Sequence, residues 1–146
     1  MKEGENVINR VEIEGLDRTG KDTLAGYIDY MSNRTMVVKT RGVLSNLAFG
    51  TVFDRHIPEK RIEQMIEGNM DTLIVFLTAN LDDWKIRMKM SKHPEINDND
   101  HTEAFTYWKN TLREKGIKIL EYNTTDETPY RIAEKVMAII EEENKL

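Results

Sequence analysis

Residues 14–23 read EGLDRTGKDT. Gly15 to Asp22 have the spacing G-x-x-x-x-G-K of a phosphate-binding loop, with Asp22 at the last place, where Ser or Thr is usual. In such a loop the glycines let the backbone turn so that successive N–H groups point at phosphate oxygens, and the following helix adds its positive dipole end. We therefore expect the phosphates of a nucleotide to contact Gly15, Thr19, Gly20 and Lys21.

The sequence on either side of the loop has the pattern that this motif requires. Val7–Glu14 predicts a strand, with Val11 and Ile13 on one side of it. The apolar residues after the loop recur at helical spacing and predict a helix that continues to Met31. Lys21 then stands at the start of this helix, where it can reach the β- and γ-phosphates. The alternative interpretation is an ordinary glycine-containing turn with a surface lysine.

The rest of the chain alternates short β-rich runs with longer amphipathic ones. Leu73–Leu77 is uninterrupted apolar sequence, as expected for a parallel strand covered on both faces. Further strands are predicted at Thr35–Thr40 and Ile117–Tyr122, and helices at Leu44–Phe49, Pro58–Glu67, Leu81–Met90, Thr102–Glu114 and Thr128–Glu142. Alternation of this kind implies parallel strands joined by crossover helices. We expect an α/β, three-layer fold, with a small, mostly parallel sheet flanked by helices.

Two features do not fit this pattern simply. Glu12 in a central strand would cost several kcal/mol if it were buried without a partner, so we expect that face of the sheet to be open or lined by cations. The segment Lys92–Asp100 contains Pro94 and many Asn and Asp residues, and it has no apolar periodicity. We predict a mobile lid at residues 91–101.

Composition limits the classes of function. The formal net charge of −5 and a sequence pI near 5.3 argue against a general nucleic-acid binder, which needs a basic face. The absence of Cys excludes disulfides, thiolate metal sites and cysteine catalysis. No signal-like or membrane-spanning apolar run is present, and no Pro/Gly/Ser-rich linker divides the 146 residues. We expect one cytoplasmic domain over residues 1–146, with no membrane partner.

The loop resembles that of thymidylate kinases, which commonly reads E-G-x-D-R-x-G-K-S-T. The Asp17-Arg18 pair makes this resemblance more specific than a bare phosphate-loop match. It implies the fold of P-loop NTPases, with ATP as phosphoryl donor and Mg²⁺ as cofactor. It also implies that Asp17 contacts the acceptor sugar or its metal environment, and that Arg18 and Lys21 neutralise the transferring phosphoryl group.

Asp22 leaves the metal site open. Either its carboxylate ligates Mg²⁺ directly, or Thr23 supplies the hydroxyl ligand and Asp22 turns aside. A third alternative is that nucleotide binds weakly or not at all. The simplest interpretation of Asp22 is a first-turn acid that the helix dipole favours.

A second segment, at residues 39–49, looks like the D-R-Y-x-x-S-x-L-A-Y motif of the same family. The resemblance makes Arg41 the acceptor-phosphate arginine and adds Ser45 and Phe49 to the acceptor site. Thr40 and Gly42 depart from the motif, since they replace its Asp and its aromatic residue.

A competing alignment places the motif at Asp54-Arg55 and makes Arg55 the acceptor-phosphate arginine. It keeps the Asp-Arg pair but loses the Ser-x-Leu-Ala-aromatic tail, so the first alignment is preferred.

The remainder of the chain resembles the family in its order of elements. By that resemblance, Asn123 and Thr124 belong to a loop on the adenine side of ATP. Possible lid cations are Arg87, Lys89 and Lys92, although such residues more often form a solvated helix face. Only about twenty residues separate Lys21 from Arg41, a compaction similar to that of short nucleotide kinases encoded by bacteriophages.

The resemblance implies transfer of the γ-phosphoryl group of ATP to a deoxynucleoside monophosphate such as dTMP, giving the diphosphate. One alternative is a deoxynucleoside kinase, with Glu14 or Asp17 as the base for a 5′-hydroxyl. Another is a degenerate kinase fold that binds nucleotide without turnover. The expected partners are nucleotide substrates and, since family members pair through helices, a second copy of the chain.

Overall fold

The computed structural model describes residues 7–15, 19–53, 56–80, 82 and 98–145. Its strands are β1 (Arg10–Gly15), β2 (Val37–Thr40), β3 (Thr72–Thr78) and β4 (Lys118–Asn123). Its helices are α1 (Lys21–Met31), α2 (Val43–Val52), α3 (Glu59–Glu67), α4 (Asp98–Glu114) and α5 (Pro129–Glu143). Apart from Asp82, the helix predicted at Leu81–Met90 lies outside the described residues.

The four strands form one parallel sheet in the order β2-β1-β3-β4. On β1, Glu12 pairs with Lys39 of β2 on one side and with Ile74 of β3 on the other. Helices cover both faces, so the three-layer α/β fold predicted from the alternating pattern is confirmed.

Each face of the sheet has its own core. On one face Val11, Ile13 and Val75 pack with the apolar residues of α1 and α5. On the other face Ile74 and Phe76 pack with those of α2, α3 and α4. Burial of each such side chain contributes about 1.5–3 kcal/mol, and a one-residue slip of any strand would exchange the two faces. The two cores therefore fix the register of the sheet.

The connections bring the loop to a topological switch point. The chain leaves β1 through α1 to reach β2, and then passes through α2 and α3 to β3, on the other side of β1. Ligands of open α/β sheets bind outside the carboxyl ends of the strands at such a point. Here those ends are Gly15, Thr40, Thr78 and Asn123.

Helix α4 begins at Asp98, four residues before the predicted Thr102, so residues 98–101 of the predicted lid are helical. The other residues of the predicted lid, 91–97, lie outside the described residues. No helix in the part of the chain that the structure describes is long and apolar enough to cross a membrane.

Candidate functional site

The loop starts where β1 lies against β3. Gly15 has a φ of 139°, and a Cβ there would lie 2.4 Å from the carbonyl oxygen of Leu77 and 3.0 Å from Oγ1 of Thr19. Gly20, at a φ of 95°, adopts the left-handed conformation just before α1. Both glycines of the motif are thus required by the backbone, and Gly15 also by the close approach of β3.

Lys21 is buried, with 8% of its surface exposed, and its Nζ donates a hydrogen bond to the carbonyl oxygen of Gly15 at 3.1 Å. Thr19 is buried beside it, at 2% exposure. The side chain of Lys21 therefore folds back over the start of the loop, which places its positive charge at the switch point of the sheet.

Asp22 and Thr23 lie exposed in the first turn of α1. Their oxygens are of the hard type that Mg²⁺ takes, and exposure leaves room for water and phosphate oxygens to complete its shell. No group of three or more His, Asp or Glu residues in the described ranges forms a metal site by itself. Ligation of Mg²⁺ by Asp22 or Thr23 stays a prediction.

Other predicted site residues lie outside the described residues. Among them are Asp17 and Arg18 of the loop, the alternative arginine Arg55, and the lid cations Arg87, Lys89 and Lys92.

The turn after β4 packs on the phosphate loop. A Cβ on Gly20 would lie 3.7 Å from Cγ of Pro129 and 3.9 Å from Cγ2 of Thr124. The backbone N–H and the hydroxyl of Thr124 both donate to the carbonyl oxygen of Thr78, at 2.8 and 3.1 Å. The predicted adenine-side residue Thr124 is thus held beside the loop by the end of β3.

Asn123 joins this turn to the segment after β3. Its Nδ2 donates to Oδ1 of Asn80 at 2.8 Å, and its Oδ1 accepts the N–H of Thr125 at 2.9 Å. The N–H of Asn80 donates in turn to Oγ1 of Thr125 at 2.9 Å. The carboxyl ends of β3 and β4 therefore form one hydrogen-bonded unit next to the loop.

Arg41 follows β2 directly and lies exposed at the same edge of the sheet. Its φ of 65° is left-handed, which is uncommon for a residue other than glycine. Its N–H donates to the carbonyl oxygen of Ile13 at 2.8 Å. The backbone of the predicted acceptor-phosphate arginine is thus tied to β1, just before the phosphate loop.

Ser45 and Phe49, the other two predicted acceptor residues, lie in α2. Ser45 is buried, and Phe49 is half-buried, with its ring 5.8 Å from that of Phe105 and 6.3 Å from that of Phe53. Phe49 is therefore part of an aromatic cluster that extends from the core to the exposed Phe53.

Two buried carboxylates lie under the start of α2. Glu12 and Glu14 are 2% and 0% exposed. Glu14 accepts the N–H of Gly42, and Glu12 accepts the N–H of Val43 at 3.0 Å. The expectation of an open or cation-lined face at Glu12 is therefore wrong in its main point, because the backbone N–H groups that begin a helix compensate the charge. One cation does contribute, since Arg10 lies 3.6 Å from Glu12.

Glu14 has an unusual protonation equilibrium. Its pKa is raised from 4.5 to about 7, mainly by burial and to a smaller extent by the negative charge of Glu12, against the lowering effect of Ser45 and of the Gly42 N–H. Oε2 of Glu14 has no hydrogen-bond partner among the described residues, and Oγ of Ser45 makes no hydrogen bond of good geometry there. Sequence reasoning treated Glu12 and Glu14 separately and missed their shared contact with one turn. The only feature of the sequence that pointed to this contact was the presence of two glutamates on one side of a central strand.

No family model and no curated protein matches the chain. Among solved structures, it is similar to the YorR protein of Bacillus subtilis, crystallised in complex with phosphorylated GDP. The TM-score is 0.70 at 15% sequence identity, over 90% of this chain and 95% of YorR. With the parallel sheet and the glycine loop described above, this likeness shows that the chain has the three-layer fold of P-loop NTPases.

Proposed function

We propose that this protein transfers the γ-phosphoryl group of ATP to a deoxynucleoside monophosphate. The observation that carries the proposal is the position of Lys21, buried over a glycine loop at the switch point of a parallel sheet. Thr124 lies on one side of that loop and the Arg41 turn on the other. A triphosphate bound in the loop would therefore have polar residues on the side of its base and a cation on the side of an acceptor.

On the donor side, the N–H groups of the loop and the start of α1 would bind the phosphates of ATP. Lys21 would exchange its hydrogen bond with Gly15 for the β- and γ-phosphate oxygens. Mg²⁺, held through Asp22 or Thr23, would supply charge neutralisation at those oxygens. Asn123 and Thr124 would flank the adenine.

On the acceptor side, Arg41 would bind the monophosphate, with Ser45 and Phe49 behind it. An oxygen of that monophosphate attacks the γ-phosphorus as the bond to the β,γ-bridging oxygen breaks, so that ATP and the monophosphate become ADP and a diphosphate. Because charge spreads over the γ-oxygens during transfer, fixed cations stabilise the transition state. We assign this task to Lys21 and Arg18, and contact with the acceptor sugar to Asp17.

The geometry favours a monophosphate over a nucleoside as acceptor. A nucleoside 5′-hydroxyl needs a base within hydrogen-bond reach, whereas a phosphate oxygen is already an anion. Of the two candidates for that base, Glu14 is fully buried and accepts the N–H of Gly42, and Asp17 lies outside the described residues. The complex of YorR with phosphorylated GDP shows a nucleotide bound to a protein of this fold.

The test is a panel of acceptors incubated with ATP and Mg²⁺, with each product separated by chromatography and Lys21→Met assayed in parallel. Diphosphate formed from deoxynucleoside monophosphates and lost in the variant supports the proposal. Monophosphate formed from deoxynucleosides would instead identify a nucleoside kinase. Nucleotide binding without any product would identify a fold that has lost turnover.

A further inference from the structure

Consecutive backbone N–H groups of the turn between β2 and α2 donate hydrogen bonds to residues of β1. Arg41 N–H donates to the carbonyl oxygen of Ile13 at 2.8 Å, and Val43 N–H donates to Oε1 of Glu12 at 3.0 Å. Between them, Gly42 N–H donates to Oε1 of Glu14. One strand therefore fixes every amide from Arg41 to Val43, two of them through buried carboxylates.

The carboxylates replace a missing helix cap. Gly42 is the N-cap of α2 and has no side chain that could accept a hydrogen bond from the first turn. The first N–H groups of a helix need partners from outside it, and negative charge is favoured at this end. Glu12 and Glu14 both provide acceptors from the neighbouring strand, and a carboxyl group that is ionised adds the negative charge.

Glu12 and Gly42 also fit each other sterically. A Cβ on Gly42 would lie 2.1 Å from Oε1, 2.2 Å from Cδ and 2.7 Å from Oε2 of Glu12. Gly42 has a φ of −149°, which any residue adopts. The Glu12 carboxylate fills the space that a side chain would occupy, so glycine is needed here on steric grounds.

The turn holds Arg41 in a conformation that it would not choose alone. A φ of 65° brings Cβ close to the backbone and persists only where surrounding contacts determine it. Those contacts include its own hydrogen bond to Ile13 and the two carboxyl hydrogen bonds that follow it. Release of the carboxylate bonds would let Arg41 relax and redirect its side chain.

We propose that Glu12 and Glu14 are positioning residues that hold Arg41 toward the acceptor phosphate, acting through the N–H groups of Gly42 and Val43. The inference rests on the proposed function, which makes Arg41 the acceptor-phosphate cation. Both carboxyl groups are buried and accept backbone N–H groups, so we expect their removal to weaken binding of the acceptor and to leave the ATP site intact.

The first test measures the binding of dTMP by calorimetry and, in the turnover assay, the separate KM values for dTMP and ATP. Removal of a buried hydrogen-bond acceptor in Glu12→Ala should weaken dTMP binding about tenfold, with the KM of ATP unchanged. Glu12→Gln keeps a carbonyl oxygen for the Val43 N–H and should bind dTMP within about threefold of the wild type. The matched control is Ile74→Val, which trims the buried strand partner of Glu12 and should leave dTMP binding unchanged.

Double variants test the path of the effect. If Glu12 acts through Arg41, then Glu12→Ala added to Arg41→Ala should weaken dTMP binding less than about twofold further, since coupled residues are not additive. Gly42→Ala should weaken dTMP binding in the wild-type background and have little effect with Glu12→Ala, where its Cβ has room. If the two substitutions of either pair weaken dTMP binding independently, so that their fold-changes multiply, the proposal is refuted.

The measurements separate this inference from the proposed function. Suppose that dTMP binding depends on Arg41 and is weakened by Glu12→Ala, but no product forms. That result would support the positioning role and refute the kinase activity. Product formation with the same dTMP affinity in Glu12→Ala and Ile74→Val would keep the kinase and refute the positioning role. A wild-type protein that binds none of the deoxynucleoside monophosphates would refute both.

Discussion

Nζ of Lys21 donates a hydrogen bond to the carbonyl oxygen of Gly15, the residue that ends β1 and begins the phosphate loop. A buried ammonium held by a neutral oxygen can exchange that partner for a phosphate oxygen, which is a stronger, charge-assisted acceptor. This contact links the sequence motif to the proposed chemistry, because it places the charge where the β- and γ-phosphates would lie.

Replacement of Lys21 by Met keeps an unbranched side chain one atom shorter and removes its charge. We expect the rate of phosphoryl transfer to fall by about 10²-fold to 10³-fold, as for the loss of one transition-state donor. A coupled assay of ADP release measures this effect. Lys118→Met is the matched control, since Lys118 begins β4 at the opposite edge of the sheet and pairs with Glu143. Equal loss of rate in both variants would contradict the role of Lys21.

Gly15→Ala should destabilise the fold. The Cβ would lie 2.4 Å from the backbone oxygen of Leu77, and the φ of 139° is strained for any other residue. We expect the free energy of unfolding to fall by at least about 2 kcal/mol. Gly26→Ala is the control, because nothing lies within 4 Å of its Cβ position in α1, and it should raise stability by about 0.5–1 kcal/mol. Urea unfolding of both variants checks the contrast in sign.

The stability of the fold should depend on pH through Glu14. Its folded pKa is raised from 4.5 to about 7, so the folded state holds this proton more tightly than the unfolded state does. Stability contributed by the protonated carboxyl is present below the unfolded pKa and is lost as pH rises toward the folded pKa. A shift of this size corresponds to a loss on the order of 3 kcal/mol, complete above about pH 7.

Glu14→Gln isolates that effect, because the amide keeps an oxygen for the Gly42 N–H and does not titrate. Relative to the wild type, the variant should gain stability between about pH 5 and pH 8, as measured by urea unfolding at both values. A difference that stays constant with pH would show that Glu14 does not titrate in this range.

Asn123→Ala should weaken the binding of ATP without affecting the binding of the acceptor. The substitution breaks the hydrogen bonds to Asn80 and Thr125 that hold the turn beside Gly20. We expect the KM of ATP to rise by about threefold to tenfold, and the KM of the monophosphate to stay constant. A larger change in the monophosphate KM would place Asn123 on the acceptor side instead.

The parts of the fold that follow from local pattern were predictable from the sequence. Leu73–Leu77 is apolar throughout because β3 is covered on both faces, and the structure buries Thr72 to Leu77. The glycine loop follows from backbone geometry at Gly15 and Gly20, which a spacing motif records directly. Both features are carried by residues that are close together in the sequence, so the sequence alone reveals them.

The partners of the buried carboxylates were not predictable. Gly42 lies 28 residues from Glu14 in sequence, and Val43 lies 31 from Glu12. A strand pattern shows that Glu12 is an anomaly but does not show which distant N–H groups compensate it. Gly42 looked like a departure from a motif, whereas its contact with Glu12 explains why a side chain is excluded there.

The central claim is that this site passes a phosphoryl group between two nucleotides. The most direct measurement follows the label of γ-labelled ATP in the presence of Mg²⁺ and each deoxynucleoside monophosphate in turn, with wild type, Lys21→Met and Arg41→Ala. We expect label in the deoxynucleoside diphosphate for the wild type, and its loss in both variants. Label that stays in ATP, or appears in inorganic phosphate alone, would contradict it.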